Sequence, residues 1–266
     1  MASITAGIDI GASATKVAIV DEGGALLGSS VRRSGVDFGK SADSGFNDAL
    51  AQAGLEAAQV ERVFSCGYGR KNVPFAHDTR TEIACHGAGA YHHFPRALTV
   101  VDIGGQDNKI IKLDEKGARV SFKMNRKCAA GTGAFLEEMA LRLDLDLARF
   151  DQMAQEAKEE AALGAFCTVF TATEVLGKIR HGVPVEALIK GLFASVLKRV
   201  SEMDTLDNTV VMTGGVVAHN PYLMQMMAAK LGREVFSPPR PQLTGAEGAA
   251  LLAMRDSKSA SQAAPA

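Results

Sequence analysis

Two similar eight-residue motifs occur in the chain, and this repeat limits the possible folds more than any other feature. Asp9-Ile10-Gly11-Ala12-Ser13-Ala14-Thr15-Lys16 returns as Asp102-Ile103-Gly104-Gly105-Gln106-Asp107-Asn108-Lys109, and the offset of 93 positions is the same from Asp9 to Asp102 and from Lys16 to Lys109. Each copy begins with an apolar run typical of a buried strand, makes a glycine turn and continues as a second strand. The repeat therefore predicts two equivalent hairpins that open two equivalent half-domains.

The duplicated Asp-Gly turns favour a phosphate-binding function. Each places a carboxylate and backbone N–H groups at the end of a buried strand, and we expect the two copies to face one cleft that suits a nucleotide polyphosphate and its Mg²⁺. Asp9 and Asp102 are the predicted catalytic carboxylates, which hold Mg²⁺ through water, and Lys16 is a predicted phosphate contact. Gln106 is expected to orient the attacking water, since a neutral amide does not repel phosphate. The other turn residues predicted to bind the nucleotide are Gly11, Ala12, Ser13, Ala14, Thr15, Gly104 and Gly105.

Two further glycine-rich stretches lie where a strand ends or a helix begins. They are Gly214-Gly215 and Gly245-Ala246-Glu247-Gly248, and small residues there allow close approach of a flat ring or a phosphate. We therefore add Gly214, Gly215, Gly245 and Glu247 to the predicted nucleotide site. The chain contains no Gly-x-x-x-x-Gly-Lys-Ser/Thr motif, which excludes a P-loop NTPase, and Leu136 occupies the third-glycine position of a dinucleotide fingerprint.

Composition limits the partners and the compartment. The chain has 266 residues, which fits two domains of ordinary size, and its 29 Lys and Arg nearly balance its 30 Asp and Glu. No long-range field favours nucleic acid or an anionic membrane. No apolar run approaches the roughly 20 residues that cross a bilayer, so we predict a cytoplasmic protein. In that reducing compartment the four cysteines are predicted to be ligands, redox groups or buried small residues rather than disulfides: Cys66, Cys85, Cys128 and Cys167.

The order of predicted elements is that of an α/β protein. Strands are predicted near residues 4–10, 15–20, 25–31, 60–66, 98–103, 108–113, 208–213 and 235. A loop is predicted over 34–44, and helices near 46–57, 81–92, 129–143, 147–158, 168–180, 185–203, 221–231 and 244–254. We place one half-domain at 1–96 and the second, with Cys128 and Cys167, at 97–243. The helix at about 244–255 is expected to pack back on the first, and the tail 256–266 to be disordered.

At this point the motifs carry a resemblance to a known superfamily. The two hairpins and Thr213-Gly214-Gly215-Val216 resemble the phosphate loops and the adenosine loop of the sugar kinases, actin and heat-shock chaperones (the ASKHA superfamily). Within it, Val101-Asp-Ile-Gly-Gly-Gln-Asp107, Asn125-Arg-Lys-Cys-Ala-Ala-Gly-Thr-Gly133 and Cys167-Thr-Val-Phe170 resemble the BadF/BadG/BcrA/BcrD-type ATPases. These are activators of 2-hydroxyacyl-CoA dehydratases and ATPase subunits of benzoyl-CoA reductases. The resemblance runs from about Thr5 to Met254 and implies an actin-like ATPase fold with two half-domains flanking a nucleotide cleft.

The resemblance also implies a metal cofactor and several partners. Cys128 and Cys167 match the positions that hold one [4Fe-4S] cluster per dimer, the other two thiolates coming from a second copy or a paralogous ATPase subunit. Both precede predicted helices, whose N-termini lower a thiol pKa. The implied activity couples ATP hydrolysis to one-electron transfer from ferredoxin or flavodoxin to an acyl-CoA dehydratase or benzoyl-CoA reductase component.

Other polar residues have a plainer interpretation. Glu174 either links the cluster to the nucleotide or lies on a solvated helix face. Cys66 and Cys85 are predicted to be packing residues. The histidines have no metal-ligand spacing with the cysteines, so we predict that His86, His92 and His93 are surface or cap residues.

Two alternatives of a different class remain open. One is a small-molecule kinase of the same fold, such as an amino-sugar kinase, which needs an Asp as base toward a sugar hydroxyl and has no use for Cys128 and Cys167. The other is a non-catalytic, nucleotide-gated scaffold that binds zinc through the same cysteines. Gln106 beside Asp102 favours water as the nucleophile, and hence an ATPase.

Overall fold

The computed structural model describes residues 3–125, 131–164 and 168–263. Over these ranges the chain forms two five-stranded sheets with helices packed against them. The strands are β1 (Thr5–Ile10), β2 (Ala14–Val20), β3 (Leu26–Arg33), β4 (Arg62–Gly67), β5 (Asp78–Thr79), β6 (Leu98–Ile103), β7 (Asn108–Leu113), β8 (Arg119–Asn125), β9 (Thr209–Thr213) and β10 (Val235–Phe236). The helices are α1 (Phe38–Ala53), α2 (Glu82–His93), α3 (Gly133–Leu143), α4 (Phe150–Glu156), α5 (Thr168–Arg180), α6 (Val185–Met203), α7 (Gly215–His219), α8 (Tyr222–Leu231) and α9 (Thr244–Ala263).

The two sheets repeat one strand order. The first runs β3-β2-β1-β4-β5 and the second β8-β7-β6-β9-β10, so that each predicted hairpin supplies two of the three central strands of its sheet. In the first sheet β1 pairs antiparallel with β2 and parallel with β4. An α/β fold with a duplicated, actin-like sheet order is confirmed by this arrangement.

The chain divides into two compact units, each with its own apolar core. The first unit contains the chain up to Leu98, Ile111–Ser121 and the chain from Gln242, and the second contains Thr99–Ile110 and Phe122–Pro241. In the first unit α9 lies against β1 so closely that a methyl group on Gly7 would come within 2.0 Å of the Ala246 carbonyl oxygen. In the second unit a larger apolar core surrounds the buried helix α6.

The structure differs from the sequence predictions at several places, among them β5 and α7, which were not predicted. The loop predicted over 34–44 is wrong from Phe38 onward, because Asp37 caps α1 by accepting from the Lys40 N–H (2.9 Å). The edge strand β8 was not predicted, although Val120, Phe122 and Met124 alternate with polar residues along it; most of its side chains are exposed. Helix α9 continues to Ala263 and so includes much of the segment 256–266, for which composition predicted disorder.

No helix in the described ranges is both long enough and apolar enough to cross a bilayer.

Candidate functional site

The first hairpin places Asp9 opposite Lys16 on paired strands. The two residues are cross-strand partners of β1 and β2, and Lys16 Nζ lies 2.9 Å from Asp9 Oδ2. Asp9 is only 4% exposed, and a carboxylate buried to that extent needs an opposite charge or hydrogen bonds. The turn between the strands is closed by a hydrogen bond from the Gly11 N–H to the Ala14 carbonyl (3.0 Å). The predicted residues Gly11, Ala12, Ser13, Ala14 and Lys16 therefore lie together at this turn.

The polar side chains behind this turn bond to one another. The hydroxyls of Thr15 and Ser34 are 2.9 Å apart, and Ser34 Oγ donates to the Gly11 carbonyl (2.6 Å). The Thr15 side chain, which the sequence assigned to the nucleotide, is fully buried in this internal bond. These contacts tie the turn to Ser34, which directly follows β3.

Two glycines crowd the Asp9 carboxylate. Gly67 has a φ of +85°, and a methyl group added there would lie 2.4 Å from Asp9 Oδ1. A methyl group on Gly245 would lie 3.0 Å from Asp9 Oδ2 and 2.9 Å from His86 Nε2. The structure thus places the predicted residue Gly245 beside Asp9.

Two polar residues of the first unit have surroundings that the sequence did not predict. Glu247, predicted to bind the nucleotide, is hydrogen bonded to His93 Nε2 (2.8 Å). The prediction that His86 is a surface or cap residue is wrong, since it is 6% exposed on the inner face of α2. His92 and His93 do lie in the last turn of that helix.

The second hairpin contains the same pair with additional partners. Lys109 Nζ lies 3.0 Å from Asp102 Oδ2 and 2.6 Å from Asp107 Oδ1. Thr213 Oγ1 donates to Asp102 Oδ1 (3.0 Å), so both oxygens of this buried carboxylate accept hydrogen bonds. Sequence reasoning did not assign Lys109, Asp107 or Thr213 to the site. The repeat could have identified Lys109, because it occupies the same repeat position as Lys16.

The predicted glycines of the second unit lie at the same place. The Gly104 N–H donates to the Asp107 carbonyl (2.9 Å) and closes the turn, with Gly105 beside it and Gln106 exposed. Gly214 has a φ of +99°, and a methyl group there would lie 2.9 Å from Asp102 Oδ1. The φ of Gly214 and its contact with Asp102 account for the glycine at this position, while Gly215 begins α7.

The two predicted cluster ligands, Cys128 and Cys167, lie outside the described residues. The described chain ends at Asn125 before Cys128, and α5 begins at Thr168, directly after Cys167. Glu174 on α5 accepts from the Gly164 N–H with both carboxylate oxygens (3.2 and 3.1 Å) and lies 3.8 Å from Lys178 Nζ. Its carboxylate therefore holds the chain just before the segment that contains Cys167, a role that neither sequence interpretation foresaw.

The other two cysteines are packing residues, as predicted. Cys66 and Cys85 are free thiols, and both are fully buried in one apolar cluster of the first unit. A hydrogen bond with Cys85, together with burial, raises the pKa of the Cys66 thiol well above its ordinary 9.0. A thiol in that state is a poor nucleophile and a poor metal ligand. Within the described ranges, moreover, no three His, Cys, Asp or Glu side chains converge in a way that could hold a metal ion.

Comparison with known proteins places these motifs in one family. The sequence profile of the BadF/BadG/BcrA/BcrD ATPase family matches residues 6–253. The chain is 37% identical over 258 residues to the 2-hydroxyisocaproyl-CoA dehydratase activator of Clostridioides difficile, and the match covers 96% of each chain. It is 38% identical over 252 residues to the activator of lactoyl-CoA dehydratase of Anaerotignum propionicum, covering 94% of this chain and 96% of that one.

A solved structure has the same fold over the whole chain. The activator of the 2-hydroxyisocaproyl-CoA dehydratase from Clostridium difficile with bound ADPNP superimposes with a TM-score of 0.91 and 34% identity. The superposition covers 100% of this chain and 99% of that chain.

Proposed function

Because this chain belongs to the BadF/BadG/BcrA/BcrD ATPase family, we propose that it is an ATP-driven electron donor that activates a 2-hydroxyacyl-CoA dehydratase. The observation that carries the proposal is the buried aspartate–lysine pair found in both hairpins, Asp9 with Lys16 and Asp102 with Lys109. The relatives that are 37% and 38% identical over nearly the whole chain are dehydratase activators. They favour this role over that of a benzoyl-CoA reductase subunit.

The nucleotide would be Mg-ATP, bound through both copies of the repeat. Asp9 and Asp102 are suited to hold Mg²⁺ through water, because buried carboxylates are hard oxygen ligands. Lys16 and Lys109 supply positive charge for the phosphates, and the hairpin turns supply backbone N–H groups. Gln106, exposed at the second turn, would orient the attacking water.

A [4Fe-4S] cluster would be held by Cys128 and Cys167. Such a cubane takes four thiolates, so a second copy of the chain or a paralogous subunit would supply the other two. The donor set fits, because α5 begins directly after Cys167 and a helix N-terminus stabilises a thiolate. When bound, the cluster supplies one-electron transfer, with ferredoxin or flavodoxin as the donor and the dehydratase as the acceptor. Glu174, which holds the chain at Gly164, would help to orient the Cys167 thiolate.

A contact in the second hairpin supports an ATPase over the kinase alternative. A sugar kinase needs a carboxylate that can take a proton from the substrate hydroxyl. Both Asp102 oxygens already accept hydrogen bonds, one from Thr213 and one from Lys109, and each bond makes the carboxylate less basic. Water oriented by Gln106 is the nucleophile that this arrangement favours.

Iron and acid-labile sulfide assays on anaerobically purified variants test the proposal. We expect Cys128→Ala and Cys167→Ala to abolish iron binding, because each removes a thiolate that no other described side chain can replace. Cys66→Ala and Cys85→Ala are the matched controls and should keep the iron, since both thiols are buried packing residues.

The colour of the parental protein separates the three functions. A brown protein supports the electron donor, whereas a colourless one supports the kinase or the zinc scaffold. A full complement of iron in Cys128→Ala would contradict the ligand assignment.

A further inference from the structure

A buried asparagine begins the second strand of the second hairpin. Asn108 is 1% exposed, and its Nδ2 donates to the Gly131 carbonyl oxygen at 2.8 Å. Gly131 is the third residue after Cys128. Gly131 adopts a φ of +89°, and a methyl group there would lie 2.9 Å from Arg199 Cδ and 3.4 Å from Asn108 Nδ2. The positive φ favours glycine at this position, and a methyl group there would make only ordinary contact with Asn108.

Two backbone hydrogen bonds run beside this contact. The Gly133 N–H donates to the Gly104 carbonyl (2.9 Å), and the Ala134 N–H donates to the Gly105 carbonyl (2.7 Å). Both donors belong to the first turn of α3, whose N–H groups have no partner within the helix. Three hydrogen bonds thus join the second turn to residues 131–134, all within the second unit.

The first hairpin has different connections: the Gly69 N–H donates to the Ile10 carbonyl (2.9 Å), and the Ser34 N–H donates to the Ser13 carbonyl (3.1 Å). Thr15 occupies the repeat position of Asn108, and its hydroxyl bonds to Ser34, which in turn donates to Gly11 of the same turn. The buried polar group at this position closes the first turn on itself. In the second copy it reaches Gly131, whose carbonyl belongs to the segment that follows Cys128.

We propose that Asn108 is the positioning residue that couples the second nucleotide turn to the segment that carries Cys128. The inference rests on the proposed function, because it needs phosphate at Gly104-Gly105 and a working thiolate at Cys128. A phosphate that displaces the turn moves residues 131–134 with it, because the Gly104 and Gly105 carbonyls and the Asn108 side chain are hydrogen bonded to them. Binding of the nucleotide would then change the environment of Cys128, because Gly131 follows it by only three residues.

Thiol reactivity measures this coupling without the cluster. Cluster-free protein is alkylated with and without Mg-ADPNP, the rate at Cys128 is followed by mass spectrometry, and the affinity for Mg-ADPNP is measured by calorimetry. We expect the analogue to change the wild-type rate at Cys128 about tenfold, within the usual range of coupling between two sites. Asn108→Leu, which keeps the side-chain volume but lacks the donor, should bind the analogue and lose the change.

Asn220→Leu is the matched control. Asn220 is also a buried asparagine of the second unit, and its Nδ2 donates to the Val216 carbonyl at the same 2.8 Å. It should show a similar loss of thermal stability and keep the effect of the analogue. Should Asn108→Leu fail to fold, hydrogen exchange at Gly133 and Ala134 of the wild type answers the same question, since the analogue should change exchange at both.

The outcomes separate this inference from the proposed function. A wild type that does not bind Mg-ADPNP contradicts the proposed function. A wild type that binds it with no change at Cys128, or an Asn108→Leu protein that keeps the full change, overturns the coupling alone. Equal loss of the change in both leucine variants also overturns it, because general destabilisation would then explain the result.

Discussion

Asp9 and Asp102 occupy the same place in the repeat, yet the two carboxylates have different surroundings. Asp9 pairs with Lys16, and position 14 of the first turn is alanine. Asp102 shares Lys109 with a second carboxylate, Asp107, which occupies the position of Ala14. The second copy therefore contains two carboxylates for one ammonium. The comparison teaches that strand pairing sets the common pair, whereas turn residues decide what each pair contacts.

The largest expected difference between the hairpins concerns their lysines. Lys109→Met leaves the buried Asp102 and the partly exposed Asp107 without the ammonium they share, and breaking a buried pair typically costs about 3–5 kcal/mol of the free energy of unfolding. Lys16 is more exposed than Lys109, with 16% of its side chain accessible against 5%. We therefore expect Lys16→Met to cost less, about 1–3 kcal/mol. Urea unfolding at pH 7 measures both.

A double variant gives a control for the loss of stability in Lys109→Met. A variant that also removes one of the two carboxylates tests whether their shared ammonium is the cause. Adding Asp107→Ala to Lys109→Met should restore part of the lost stability. A Lys16→Met protein as unstable as Lys109→Met would remove the difference between the hairpins.

The second prediction concerns the activity of the two carboxylates. Asp9→Asn and Asp102→Asn should each lower Mg-ATP turnover at least about 100-fold, because misplaced charge near the transferred phosphate costs several kcal/mol. Steady-state phosphate release is the measurement, and iron content should not change. Parental rates in both single variants would mean that neither carboxylate takes part.

The smallest expected effect separates the exposed residues of the two turns. Gln106→Ala should lower kcat about tenfold, the equivalent of one hydrogen bond of about 1.4 kcal/mol, with little change in KM. Ser13, at the same repeat position, is predicted to contact phosphate only. Ser13→Ala should therefore raise KM with little change in kcat. The same kinetic pattern in both variants would show that the two turns do not differ in this way.

The sequence predicted best those features that follow from apolar pattern and repeat. The bounds of α5 and α6 were predicted to the residue, because their helical pattern is long and regular. The paired strands of both hairpins followed from the repeat. The start of α1 was missed because Ser41 and Gly45 look like loop residues, although both are buried on the helix face that packs on the sheet.

The partners within the site were beyond the sequence. Thr213 reaches Asp102 from the end of β9, a contact that depends on strand order and not on local pattern, and Asp107 reaches Lys109 from the turn. Glu247 stays a predicted nucleotide ligand, and its contact with His93, which depends on how α9 and α2 meet, was not predicted. The hydrogen bond between the Gly164 N–H and Glu174 joins residues ten apart in the chain, and no sequence periodicity predicts it.

The position of α9 reverses the usual order of folding during synthesis. A growing chain generally folds its N-terminal domain first. Here β1 is made before the second unit, but it is covered by α9, which begins at Thr244 and touches Gly7 through backbone atoms. While the ribosome is still adding residues, the second unit has all of its chain by Pro241, and the first does not. The strand that bears Asp9 is thus translated early and buried late, and for that interval a nascent-chain chaperone would find an uncovered apolar surface.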